Sequence, residues 1–150
     1  MLSGKLVHLI ETNWQEIATR LCRAVKSHPE MQTLAKQPDA DLRDWCQEIL
    51  ENLGYWLTAT KDQEVYRRFQ VLGKVRFEEN IPLHEAVLRF HLLKEKIIGF
   101  LHEQGFAMNT LQLYAQEELE QRMGSFFDAC VYHIVLGYER AMRSAVRRAS

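Results

Sequence analysis

This chain has little of what usually announces chemistry. Its three cysteines, Cys22, Cys46 and Cys130, are odd in number, far apart, and free of any Cys-x-x-Cys or Cys/His spacing. That excludes a disulfide framework and leaves no zinc or redox motif. Each cysteine falls on an apolar helical face, where it acts as a small buried hydrophobe, and a reducing compartment fits such usage. Excess charge of one sign is missing too. With 19 basic against 20 acidic residues and a net charge of -1, the surface carries no global field for nucleic acid or an anionic membrane, and neither is expected as a partner. Long hydrophobic runs are absent: none approaches transmembrane length, and the start MLSGKLVHLIETNWQEI lacks the continuous apolar stretch and cleavage site of a secretory leader. A cytoplasmic location is the expectation.

Catalytic signatures are missing as well. There is no Gly-x-Ser-x-Gly elbow and no Gly-x-x-x-x-Gly-Lys-Ser/Thr phosphate loop. The carboxylate pairs Glu78-Glu79 and Glu117-Glu118 fall on polar helix faces, where solvation explains them better than a shared proton. A non-enzymatic protein is expected.

What remains is helix. At 150 residues, 47% hydrophobic and 26% charged, with only three prolines, the chain suits a single domain over residues 1–150 with one substantial core. Leu6, Ile10, Trp14, Ile17, Leu21 and Val25 recur at three- and four-residue steps and predict a helix over residues 3–26. Pro29 opens a short connecting helix over residues 29–36, and Pro38 closes it. Asp39 and Asp41 offer capping oxygens ahead of Leu42, Trp45, Cys46, Ile49, Leu50, Leu53 and Leu57. Asp62 caps a third helix that turns Val65, Phe69, Leu72 and Val75 inward, and Gly73 within it permits a close helix contact. Ile81-Pro82 forces a corner at residues 80–82, after which a fourth helix runs to about residue 104. Gly105 is a C-terminal cap, and Asn109 with Gln112 resembles a capping box that restarts a helix. No proline follows, and Gly124 is a place where that last segment would bend or divide. The fold class is therefore all-α: five to seven helices in a globin-like or helical-bundle pack, with a long C-terminal helix.

Two features compete for function. His84, His91 and His102 share one flank of the fourth helix. A haem-binding, globin-like reading would use His91 or His84 as axial ligand, although a half-buried histidine without function is the commoner case. A di-iron bundle is ruled out because the chain contains no Glu-x-x-His. The second feature is FFDACVYHIVLGY, residues 126–138, apolar nearly all round. It needs cover on two sides, either from its own domain or from a second copy across a two-fold. Phe126, Phe127, Val131, Ile134, Val135 and Tyr138 are its candidate dimer and signalling residues. The arginines that follow, Arg140, Arg143, Arg147 and Arg148, offset a helix dipole.

Gly73-Lys-Val-Arg76-Phe-Glu-Glu79 before Ile81-Pro82-Leu83, the apolar helix over residues 88–101, and the ending FFDACVYHIVLGYERAM with Asp128 and Tyr138 resemble the N-terminal sensor domains of RsbR-type (RsbRD) RsbT co-antagonists. The likeness covers residues 14–143 and consists of helix breaks and apolar positions. It implies a globin-like input domain of stress-response signalling, usually haem-free, that forms a homodimer and passes a signal through its last helix to a downstream regulatory protein or domain. No cofactor is expected on that reading.

Overall fold

The computed structural model describes residues 2–59, 63–105 and 109–150. The described residues form eight helices and no strand: α1 (Leu2–Thr12), α2 (Trp14–Ser27), α3 (Gln32–Ala35), α4 (Asp39–Leu50), α5 (Leu53–Thr58), α6 (Gln63–Glu78), α7 (Leu83–Glu103) and α8 (Thr110–Ala149). The all-α class and the long last helix are as the sequence predicts. The count exceeds five to seven because two expected helices are each divided at an asparagine. At Asn13 (φ -112°, ψ 24°) the side-chain amide donates to the Leu9 carbonyl at 2.8 Å, and Thr12 Oγ1 donates to the His8 carbonyl at 2.9 Å. Such local bonds compete with the helical ladder. Asn52 has nearly the same backbone (φ -118°, ψ 26°), and the Glu11 carboxylate accepts from the freed Gly54 amide at 3.1 Å. The apolar stripe runs across both breaks, so periodicity alone does not reveal them.

Caps fall partly where expected. Asn109 Oδ1 accepts from the Gln112 amide at 2.8 Å, and Gly105 adopts φ 64° with its amide donating to His102 O at 3.3 Å. Pro38, not an aspartate, occupies the N-cap position of α4. Asp39 and Asp41 sit in the first turn, where their charge suits the helix dipole, and Asp39 pairs with Lys26 at 2.7 Å. The expected cap at Asp62 lies outside the described residues. The α3 start is served from a distance: buried Glu85, in the first turn of α7, accepts from the Thr33 and Leu34 amides, both at 2.9 Å.

The corner between α6 and α7 is built by Asn80 at φ 60°, a left-handed conformation that asparagine tolerates better than most residues. Tyr138 of α8 donates its hydroxyl to the Ile81 carbonyl at 2.8 Å and packs edge-on against Phe77 at 5.4 Å. One buried core joins the helices, with Ile10, Ile17, Leu50, Phe90, Leu93, Leu101 and Phe126 among its fully enclosed side chains. Its centre is aromatic. Trp45 meets Phe90 at 4.9 Å, Phe90 meets Phe69 at 6.3 Å, and Phe69 meets Phe126 at 6.0 Å, which links α4, α7, α6 and α8.

Helices α6 and α8 meet backbone to backbone. A Cβ on Gly73 would fall 2.1 Å from the Ile134 carbonyl oxygen, and one on Gly137 would fall 1.9 Å from the Gln70 carbonyl oxygen. The contact expected at Gly73 therefore exists, and its counterpart is Gly137. Gly124 does not divide α8, which continues unbroken for 40 residues, about 60 Å at 1.5 Å per residue. Replacing Gly137 with alanine should cost at least about 2 kcal/mol, because backbone atoms cannot yield as side chains do. Gly124→Ala, where a Cβ meets nothing within 4 Å, should instead stabilise by about 0.5–1 kcal/mol. Denaturant titration of both variants measures the contrast.

Candidate functional site

The sequence candidates divide sharply on α8. Phe126, Phe127 and Ile134 are buried in the chain's own core. Val131 packs against that core, and Tyr138 is committed to the Ile81 carbonyl. Val135 is half-buried and faces the other way. At about 100° per residue, Tyr132, Val135, Glu139, Met142 and Val146 form a single stripe on the side of α8 away from the core, and their spacing of three, four, three and four is that of a heptad seam. Tyr132, Met142 and Val146 are 61%, 42% and 64% exposed. Earlier on the same side stand Glu117, Gln121 and Asp128, all exposed. Tyr114, about five turns before Tyr132 and 66% exposed, is on this side too, so the outer side of α8 is polar from Glu117 to Asp128 and largely apolar after it. This outer stripe was not separated from the core residues by sequence, because a segment apolar all round does not say which side is covered.

The histidines of α7 point elsewhere. His91 is exposed, and exposed His84 lies with Nε2 3.1 Å from the Glu30 carbonyl oxygen. His102 bonds Glu120 at 2.8 Å on the surface. An axial haem ligand needs an enclosing apolar pocket, and the surroundings of His84 and His91 do not fit that group. Among the described residues no three of His, Cys, Asp and Glu come together to hold a metal ion. No helix there is long and apolar enough to cross a membrane. The cysteines are buried, as expected, and burial pushes the Cys46 thiol up to about 12, which suppresses the thiolate.

Two polar arrangements brace α8 and its neighbours. Arg140 donates to Gln70 Oε1 at 3.3 Å, which turns the Gln70 amide nitrogen toward His133 Nδ1, 2.8 Å away. The His133 ring stacks on Tyr66 with centroids 4.4 Å apart. Nδ1 accepts in this chain of bonds, so the ring is neutral. Burial, and then repulsion from Arg140, hold His133 below its ordinary value. The second arrangement is Arg89, 4% exposed, with its guanidinium 4.0 Å from the Trp45 ring centroid. Burial, then the positive charge of Arg76, lower Arg89 to about 9, while Glu79 opposes them. Its Nε has no hydrogen-bond partner among the described residues, and neither has that of Arg76. A guanidinium stays charged at neutral pH, so Arg89 carries a desolvation cost that the cation–π contact offsets only in part.

Comparison with protein-family models, with curated proteins and with solved structures finds no match for this chain.

Two outcomes follow from the polar groups. Since His133 binds its proton less readily in the folded chain than in the unfolded one, its contribution to stability is complete above the ordinary histidine value of 6.5. It is lost as pH falls from there through the lower folded value. Thermal melts across pH 5 to 8 should show this acid-side loss, and His133→Gln should flatten it, by a fraction of one proton's worth of slope. Arg89→Met, which keeps bulk and removes the buried charge, should raise stability by about 1 kcal/mol, read as a higher denaturation midpoint.

Proposed function

We propose that this chain is a non-enzymatic, cytoplasmic input domain for signal transduction that works as a homodimer through its last helix. The observation that carries this reading is the heptad-spaced outer stripe of α8. A helix normally leaves its solvent side polar, and the middle of α8 does so at Glu117, Gln121 and Asp128, although Leu111, Leu113 and Tyr114 are exposed in its first turns. Beyond Asp128 the stripe presents Tyr132, Val135, Met142 and Val146 around Glu139 at heptad spacing, a seam that a second copy of the same helix would cover. The likeness of the α6–α7 corner and the last helix to RsbR-type sensor domains supports the same assignment, including a globin-like, haem-free role in stress-response signalling upstream of a regulatory partner.

The mechanism follows from how α8 is held. Its inner side is fixed at the Gly73–Gly137 crossing and at the bond from Tyr138 to Ile81, whereas its outer side carries the seam. A stimulus that shifts the α6–α7 corner would move Ile81 and, through Tyr138, change the pose of α8 in the dimer. Such a stimulus must bind the two packings with different affinity, because equal affinity moves no population.

Sedimentation equilibrium tests the dimer. The wild-type chain should be dimeric at micromolar concentration, and a Met142→Glu/Val146→Glu double variant should be monomeric with an unchanged helical circular-dichroism spectrum. A monomeric wild-type chain would refute the reading.

A further inference from the structure

The groove between α6 and α8 concentrates charge that the chain as a whole lacks. It encloses about 810 Å³, and five cations line it, Arg67, Lys74, Arg140, Arg147 and Arg148, against the single carboxylate of Glu78. Lys74 lies 3.9 Å from Glu78, so these two largely offset each other. The four arginines have no carboxylate partner among the described residues, whereas Arg20, Arg68, Arg76 and Arg143 each reach a glutamate. In a chain of net charge -1 this is a local excess. Between the arginines the lining is largely apolar, with Val71, Phe77, Gly137 and Ala141 beside Gln70 and Ser144, and Val71 is 58% exposed. The recess exists because the glycine crossing draws the two helices together without filling the space beside it.

We propose that this groove docks an acidic amphipathic helix of a partner protein, its apolar edge on Val71, Phe77 and Ala141 and its carboxylates against Arg67, Arg140, Arg147 and Arg148. An apolar trough flanked by guanidinium groups that lack a carboxylate partner matches such a helix in shape and in charge. Single-stranded nucleic acid would want free aromatic faces for its bases, and the one aromatic in the groove, Phe77, is half-buried and packed against Tyr138. A bilayer surface would want a broad protruding apolar face, and Val71 is the one large apolar residue of this lining that is strongly exposed. The inference goes beyond the homodimer. Gly137, Ala141, Ser144 and Arg148 lie roughly 180° around α8 from the outer stripe, so the two surfaces are separable by mutation.

The test is fluorescence anisotropy of the full chain with a labelled synthetic helix about five turns long, carrying leucines along one edge and glutamates on both flanks. Comparison probes are the same composition scrambled out of amphipathic order, an oligothymidylate, and phosphatidylserine vesicles. The amphipathic peptide should bind at least about tenfold more tightly than the scrambled one, and added salt should weaken it. Arg67→Glu with Arg148→Glu should cost at least about tenfold in affinity, and Val71→Ser should weaken binding severalfold. Both changes should leave the circular-dichroism spectrum and the sedimentation behaviour as in the wild type. Equal binding of the scrambled peptide, affinity indifferent to the arginine reversals, no binding up to the solubility of the peptide, or tighter binding of the oligothymidylate or the vesicles would each overturn the proposal. Because the outer stripe is untouched in these variants, failure here would leave the homodimer standing, and a monomeric chain that still binds the peptide would separate the two in the other direction.

Discussion

The backbone contact between α6 and α8 is the constraint on which the rest of the molecule depends. Gly73 and Gly137 present no side chain, so carbonyl oxygens of each helix occupy the volume where a Cβ of the other would stand. The successive pairs Tyr66 with His133, Gln70 with Gly137 and Phe77 with Tyr138 climb both helices together. The two helices therefore pack as one strut. It aligns Phe69 with Phe126 in the core, sets Tyr138 beneath the α6–α7 corner, and leaves the arginines of both helices beside one groove. A larger residue at either glycine would separate the helices and disturb all three features at once.

Around that strut the buried polar groups act as ties between elements distant in sequence. Glu85 supplies the missing acceptor for the start of α3, and Tyr138 satisfies the carbonyl at the corner. Each meets a backbone group that would otherwise be buried at a cost. Arg89 is different. It lies over Trp45 with an unpartnered Nε and no carboxylate in an ion pair among the described residues, a cation kept in the core at the expense of stability. The polar interior thus combines satisfied joints with two guanidinium nitrogens unpartnered among the described residues, those of Arg76 and Arg89, on the helices that meet at the α6–α7 corner.

Much of the fold was legible because local rules set it. The corner at Ile81-Pro82, the cap at Asn109 and the left-handed Gly105 follow from the preferences of those residues. The core stripes of α2, α4, α6 and α7 follow from helical spacing. Other features were not legible for physical reasons. Asn13 and Asn52 interrupt helices whose apolar stripes run straight on, so period alone could not divide them. Glu85 and Arg89 read as polar positions on a helix and are buried, because what covers them comes from α3, α4 and α6. Gly73 suggested a close contact, yet nothing in the chain pointed to Gly137 as the other half, 64 positions later in the sequence. The candidate residues in α8 were legible as apolar and illegible as to side.

The sequence by itself determined an all-helical chain with buried thiols, a proline corner and a last helix too apolar to stand alone, since each of these depends on neighbours within a turn or two. Only the tertiary structure decided which side of that helix is spent on the core and which is left bare. It alone brought arginines from α6 and α8 to one apolar groove and pointed the histidines of α7 outward. Those outcomes depend on which helices meet and at what distance, and that was set by packing between residues far apart in the chain.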